Sequence, residues 1–538
     1  METIIPIGYW IFFIFTIVGT LAGLYKMFEK AGEAGWKALV PFLNAWICVK
    51  ITGKSRSWFI MLMIPVLNVV VWLLMSNELA KVFGKESFWA YVGSMMIPYI
   101  YFLKLGFDED VRYIGPHKSE RKSVGREWAD AIAFAVVAAT LIRTFFFEAY
   151  TIPTTSMEGT LKAGDFLFVS KFHYGARFPI TPLAFPFAHH TMPVIGGKAY
   201  SDAIKMPYMR FPGLENIHRG SSVVFNFPAG DTVYLPEQQN SYYSLLMNEA
   251  TNLQINDAKL GNRPKPFSFY YNRVSAAYRS SGELAYRPVD KRDNYIKRCV
   301  GLPGDSLWVS NGILYVNGEK AYVAPEQQKS YDVTFKAGLG VDAAAGILLK
   351  MKLNSMDFED TVNVTPNKIM ITANMSIADS KLLAKNKQVE SVILNHFDRM
   401  VAGYIGLFPN NPNQPLNSVD DFSPIYIPKK GATVKIDANS YYNYKRIIEA
   451  YEHNTVTLDK QGRPYIDGKL LTEYTFKQNY YWMMGDNRHR SYDSRYWGYV
   501  PEDHIVGKPV LLWFSWDKTL PLSERIANIR WDRMMHFK

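Results

Sequence analysis

At 538 residues, 48% hydrophobic and 15% aromatic, the chain is long and apolar enough for more than one domain and a sizeable core, which excludes an intrinsically disordered protein. Its formal charge of +11 is spread along the sequence, with no basic stripe interleaved with stacking aromatics, so nucleic acid is set aside as a partner. Its two cysteines, Cys48 and Cys299, do not make a disulfide framework.

Four apolar runs open the chain, at 5–25, 58–75, 88–105 and 128–147. Each has about 18–21 residues, near the length that crosses roughly 30 Å of hydrocarbon. The first lacks a basic start and is followed by Lys26-Met-Phe-Glu-Lys30 instead of a small-residue cleavage site, so it reads as an anchor. A fifth run, 38–49, contains Pro41 and Asn44 and is too short to span; it reads as interfacial or re-entrant. Lys26, Lys30, Lys37, Lys50, Lys54 and Arg56 crowd the stretch 26–57, and Arg112, Lys118, Arg121, Lys122 and Arg126 the stretch 106–127, whereas 76–87 is balanced. Retention of basic residues in the cytoplasm then predicts four spans, with 76–87, the N-terminus and everything after Phe147 outside. Asp130 and Arg143 lie near the ends of the last run and can snorkel. The expected organisation is a multi-span region at 1–127, a last anchor at 128–149 and an extracytoplasmic part at 150–538.

Beyond 150 the hydrophobic period changes. The segments 166–171, 222–227 and 306–310 read as short strands, and Asn311-Gly312 and Asn317-Gly318 flank a strand at 313–316 as hairpin turns. A second hairpin is expected over 456–468, and helices over 381–396 and 442–453. The part is predicted to be mainly β, with two insertions, 231–290 and 325–425, the latter containing the polar loop 409–417. Both insertions read as packing or partner surface on the rim.

No Gly-x-Ser-x-Gly elbow, His-Glu-x-x-His or phosphate-binding loop occurs. The ten histidines are scattered, and the adjacent His189 and His190 are poorly placed to share one ion, so no metal and no cofactor are expected. Four polar, glycine-containing clusters stand out instead: Ile-Pro-Thr-Thr-Ser156-Met157; Gly164-Asp165 with Lys171 and Tyr174-Gly175; Tyr295-Ile-Lys297-Arg-Cys-Val-Gly-Leu-Pro-Gly-Asp305; and Gly485-Asp-Asn487 with Ser491, Asp493, Ser494 and Arg495. Singly, each has a structural reading as a turn or an ion pair.

In this order the four clusters resemble the bacterial type I signal peptidases, membrane-bound Ser/Lys endopeptidases that remove signal peptides. The likeness covers roughly 125–228, 293–320 and 455–538. It implies a mainly β extracytoplasmic catalytic domain of the signal-peptidase (LexA-like) type, with insertions, behind the helical membrane part of about four transmembrane helices. By position, Ser156 corresponds to the nucleophile and Lys297 to the general base, a role open to lysine only where burial lowers its pKa from about 10.4. The likeness further implies that Thr154 and the Ser156 N–H form the oxyanion hole and that Ser491 orients the lysine. Tyr150, Ile152, Pro153, Leu161, Tyr295 and Ile296 would line the substrate groove, and Asp493, Arg495 and Gly485 would support the site. The implied substrates are preproteins cleaved after small residues in an Ala-x-Ala-like pattern; the implied partners are those preproteins and the lipid bilayer, with the protein-export machinery a further one. The implied location is the inner membrane, with the catalytic part on the periplasmic side. The sequence departs from the family at Gly159, where Pro is common, and at Thr154, where Ser is frequent. The competing readings are a Ser/Lys protease acting on itself or on a dedicated membrane partner, and a non-catalytic membrane scaffold.

Overall fold

A computed structural model of the chain describes residues 4–64, 67–116, 123–238, 241–261, 263, 265–350, 358–365, 368–397, 407–409, 411, 417–459, 461–518, 520–526 and 528–537. Lys118, Arg121 and Lys122 of the expected cytoplasmic stretch, and most of the loop 409–417, lie outside the described residues.

Seven helices come first: α1 (Ile4–Lys30), α2 (Leu43–Ile51), α3 (Arg56–Met63), α4 (Leu67–Val82), α5 (Phe88–Met96), α6 (Pro98–Phe107) and α7 (Val124–Phe145). Among the described residues one helix, α7, is long and apolar enough to cross a membrane. The second and third apolar runs, expected as single spans, are each two helices. Proline accounts for the interruptions: it pushes the residue before it out of the helical region. Ile64, before Pro65, has ψ 119°, and Ile97, before Pro98, has φ −133° and ψ 53°.

Each pair also returns to the side from which it started. Lys54, ahead of α3, forms an ion pair at 2.8 Å with Glu78 near the end of α4. Arg126 donates to the Glu86 carbonyl ahead of α5 (3.1 Å), and beyond α6 the Ile114 N–H reaches the Val82 carbonyl (2.9 Å) and the Tyr113 hydroxyl the Ile51 carbonyl (2.7 Å). Lys30, closing α1, donates to the carbonyls of Leu105 and Asp108. Stretches expected on opposite faces of a bilayer therefore gather at one end of the bundle, and the four-span reading is corrected: α3–α4 and α5–α6 are hairpins. Apolar run length cannot distinguish a crossing from a reversal. α6 lies along α1, close enough that a Cβ on Gly23 would stand 2.4 Å from the Phe102 carbonyl carbon, the approach that Gly19-x-x-x-Gly23 permits. Met95 at the tip of α5 packs on Val137 and Ala138, midway along α7.

The rest is built on an eight-stranded antiparallel sheet: β1 (Phe147–Thr151), β2 (Asp165–Ser170), β3 (Ser222–Asn226), β4 (Asn294–Gly301), β5 (Tyr480–Met484), β6 (Val500–Pro501), β7 (Ile505–Ser515) and β8 (His536–Phe537). The order is β1-β2-β7-β3-β4-β5-β6, with β8 beside β7. Alternation along the strands divides the core. Val223, Phe225 and Cys299 pack with Met483, Trp497 and Val500 on one face, while Val169, Val224 and Val506 meet on the other. Val223 pairs with Lys297, but β5 pairs only with 298–301, so the flank of 294–297 opposite β3 is left open.

The hairpin strand Ile313–Val316 forms as expected, with Asn311 at φ 51° and Asn317 at φ 53°. The expected helix at 442–453 is Tyr441–Arg446 continued by a π-helical turn, Ile447–Tyr451. The expected helix at 381–396 is not one: Ile377–Leu383 is helical, and Val389–Leu394 is a strand whose β-branched run wins by pairing with Gln328–Phe335. That strand belongs to a four-stranded sheet with its own core around Val333, Phe335, Ile371 and Leu383. The stretch 231–290 holds two helices that polar composition concealed, α8 (Tyr242–Lys259) and α9 (Phe267–Ser280), sealed by Tyr242, Leu246 and Ala250 against Tyr270 and Val274.

Candidate active site

α7 delivers the chain into β1, and the turn beyond β1 carries Ser156. Lys297 arrives from the middle of β4. The two side chains meet with Nζ 2.6 Å from Oγ, Ser156 being 8% and Lys297 3% exposed. The Lys297 amine also donates to the Ile296 carbonyl at 3.0 Å. Burial pulls its pKa down to about 8, against the opposing pull of Asp493 and Asp486. A neutral amine at hydrogen-bond distance from a serine hydroxyl can accept that hydroxyl's proton.

Thr154 Oγ1 lies 3.4 Å from Ser156 Oγ. The Ser156 carbonyl accepts the Asn487 N–H at 3.1 Å, so the 485–491 loop grips the backbone of Ser156 itself. Gly485 makes this possible, because a Cβ there would fall 2.5 Å from the Ser156 oxygen and 2.2 Å from Ser491 Oγ. Arg495 holds Asp493 through Nε (2.9 Å) and Nη2 (2.8 Å) in full burial, and Asp493 accepts the Gly485 N–H at 3.1 Å. The Ser491 Oγ lies buried near the Asp493 carboxylate and makes no hydrogen bond to Lys297. The second contact of the Lys297 amine is the Ile296 carbonyl instead.

The expected groove residues divide. Ile152 and Leu161 are buried with Met157, Leu167 and Leu512, and Ile296 packs against them. Tyr150 and Ile296 both pack against the cluster of Val169, Val224 and Val506, and the Tyr150 hydroxyl donates to Glu148 (2.5 Å), itself paired with Arg143 and Lys171. Pro153 is exposed beside Thr154. Tyr295 turns the other way, stacking on Phe227 at 4.8 Å, with the Lys297 amine 5.6 Å from its ring centre. β1 is an edge strand and 294–297 is open on one flank, so two unpaired backbone edges border the dyad.

Several contacts were not foreseen. Asp486 takes both Arg298 (Nε, 2.7 Å) and the Thr160 hydroxyl (2.7 Å), joining the loop to the turn after Ser156. The strand Gln328–Phe335, from the second insertion, is stitched to the same loop: the Gln328 N–H reaches the Asp486 carbonyl and the Arg488 N–H the Gln328 carbonyl, both at 2.9 Å. Two residues on, the Ser330 N–H reaches His489 Nδ1 (3.1 Å), whose Nε2 lies 3.0 Å from Asp420. Gly159 belongs to this joint. Its φ is +92°, and a Cβ there would stand 2.3 Å from the Glu326 carbonyl oxygen. Gly159, where the resemblance leads to an expectation of proline, is the point where the insertion lies on the turn that carries Ser156; its partner is too distant in sequence for any local pattern to announce it.

Comparison with known proteins bears on the whole of this part. Residues 125–384 and 426–514 match the family model described as signal peptidase, peptidase S26. Residues 36–116 match a family of unknown function, DUF5684. The Signal peptidase I of Buchnera aphidicola subsp. Schizaphis graminum is 24% identical over 383 residues, 70% of this chain and 71% of that protein. That of Buchnera aphidicola subsp. Baizongia pistaciae is 22% identical over 401 residues, 73% of this chain and 80% of the relative. That of Haemophilus influenzae is 21% identical over 405 residues, 74% and 73% of the two chains.

Proposed function

The chain belongs to the signal peptidase family, peptidase S26, and is a serine peptidase of the signal peptidase I kind; on that premise we propose that it cleaves signal peptides from preproteins with Ser156 as nucleophile and Lys297 as general base. The observation that carries this reading is the 2.6 Å contact between a serine hydroxyl and a lysine amine sealed from water. The substrate enters extended between β1 and the open flank of 294–297, adding its backbone to free strand edges. Ser156 gives its proton to the neutral amine and attacks the carbonyl before the scissile bond. The Ser156 N–H and Thr154 Oγ1 meet the oxyanion, a type of interaction worth about 3–4 kcal/mol. The Lys297 ammonium then protonates the departing amine, and the amine so restored deprotonates the water that hydrolyses the acyl-enzyme. Ile152, Leu161 and Ile296, packed in one apolar cluster, border the residues before the scissile bond and favour small ones there. Asp493, Arg495 and Gly485 hold the loop, and the Ser491 hydroxyl, beside the Ser156 carbonyl, is the group that orients the lysine once substrate is bound.

We further infer that α7 anchors this part in the inner membrane. Its 22 residues rise about 33 Å. We place a second crossing at α1 on its 27 residues and on the apolar run 5–25 that it contains, whose first part lies outside the residues with described side chains, and the hairpins α3–α4 and α5–α6 enter and return. The end at which Lys30, Lys54, Arg112 and Arg126 gather is the cytoplasmic one on the charge rule, so 150–538 faces outward as a peptidase part following a membrane region at 1–127 and an anchor at 128–149. Preproteins and the bilayer are its partners, with the export machinery a further one. The test is processing of a preprotein bearing a small-x-small site by the reconstituted full chain. Cleavage should stop when the residue before the scissile bond is made large; cleavage that continues there, or none of the parent preprotein, overturns the reading.

A further inference from the structure

The hairpin tips do not reach the far end of the two long helices. Tyr99, just past the α5–α6 tip, lies against Gly19 of α1, and Met95 lies against Val137 and Ala138 of α7. The α3–α4 tip and the segment ahead of α2 stop at the same level, since Met63, Phe42 and Met96 border one cavity of about 810 Å³. Its walls are α1, through Thr16 and Leu21, and α7, through Leu141 and Phe145. The bundle therefore holds a crater, floored by three reversals and open on the side where α7 passes into β1. The lining is almost wholly apolar, and Phe42, Met63 and Met96 leave large parts of their side chains uncovered in it.

The dimensions choose an occupant. From 137 to 145, α7 rises about 12 Å above the floor, and from 19 back to 4, α1 rises about 22 Å. A signal peptide's apolar segment of roughly 7–15 residues is about 10–22 Å long as a helix, too short for the roughly 30 Å of an ordinary bilayer but matched to this depth. Phe145 on the crater wall also meets Phe178 and Phe211 of the catalytic part at 5.5 and 6.1 Å, so the crater runs on to the strand that carries the chain to Ser156.

We propose that this crater receives the apolar helix of the signal peptide, and that the helical region ahead of α7 is a substrate-binding element which holds a short hydrophobic helix at the depth that presents its cleavage site to Ser156. The inference rests on the peptidase reading above. The test uses the full chain in phosphatidylethanolamine–phosphatidylglycerol vesicles. With Ser156→Ala to preserve the preprotein and a photoreactive phenylalanine at Met96, illumination should cross-link the preprotein through its apolar segment; labelling of phospholipid alone overturns the proposal. In the active protein, Met96→Trp fills the crater, and kcat/KM is compared for a preprotein and for a short peptide that spans only the cleavage site. The proposal requires the preprotein-to-peptide ratio to fall at least tenfold. An unchanged ratio, whether both rates persist or both fall, overturns it. If the unmodified protein cleaves neither substrate, the peptidase reading fails first and the crater's role with it.

Discussion

Lys297 makes both activity and stability rise with pH, over different ranges. With its pKa near 8, kcat/KM is expected to climb as pH rises through about 8 and the ammonium loses its proton. The native pKa lies below the ordinary 10.5, so the native state binds fewer protons than the unfolded one between the two values, and stability rises with pH across that window. Below about 8 the full penalty of burying the ammonium is present, roughly 3 kcal/mol. Lys297→Met should therefore abolish processing yet raise stability by up to about 3 kcal/mol near pH 6, the gain vanishing above about pH 10.5; urea unfolding at both pH values checks it. Ser156 and Lys297 were legible because each stands inside a local motif. Gly159 was not, because its reason is the Glu326 carbonyl. Gly159→Ala should cost about 1–3 kcal/mol in backbone strain alone and lower kcat, read from urea unfolding and preprotein processing.

Elements decide how rigid the dyad is. The 485–491 loop is held from below by the Asp493–Arg495 pair and from above by the strand Gln328–Phe335. Asp493→Ala leaves a buried guanidinium without its carboxylate and should cost about 3–5 kcal/mol. His489→Leu removes the acceptor of the Ser330 N–H and one of the partners of the buried Asp420, an expected loss of about 1–3 kcal/mol, with a fall in kcat larger than any change in KM; unfolding and steady-state kinetics on a short peptide measure both. The strands at 166–171, 222–227 and 306–310 could be read because they alternate and end in turn residues. The helices at 242–259 and 267–280 could not, because Asn, Ser and Tyr on their open faces diluted the four-residue spacing of Tyr242, Leu246 and Ala250. The strand at 389–394 was mistaken for helix because only its pairing with Gln328–Phe335, far back in the chain, selects the extended form.

At the scale of the whole molecule, hydropathy found every apolar run but could not see which of them turn back, since the reversal is fixed by Pro98, by the contact of Lys54 with Glu78 and by that of Arg126 with Glu86. The proposed orientation is the same with four crossings or with two, because replacing two crossings by two hairpins keeps the number even. With the buried Cys48 and Cys299 changed to serine, cysteines placed at Gly84 and Asp110 should react with a membrane-impermeant maleimide only from the cytoplasmic side, and one at the exposed Leu214 only from outside. Labelling of Gly84 from outside would restore the four-span arrangement.

The most direct measurement is the pH profile of preprotein processing by the reconstituted chain, run beside Ser156→Ala and Lys297→Ala. The dyad requires a wild-type rate that rises through about pH 8 and no measurable product from either variant at any pH. Processing by either variant at the wild-type rate would contradict it.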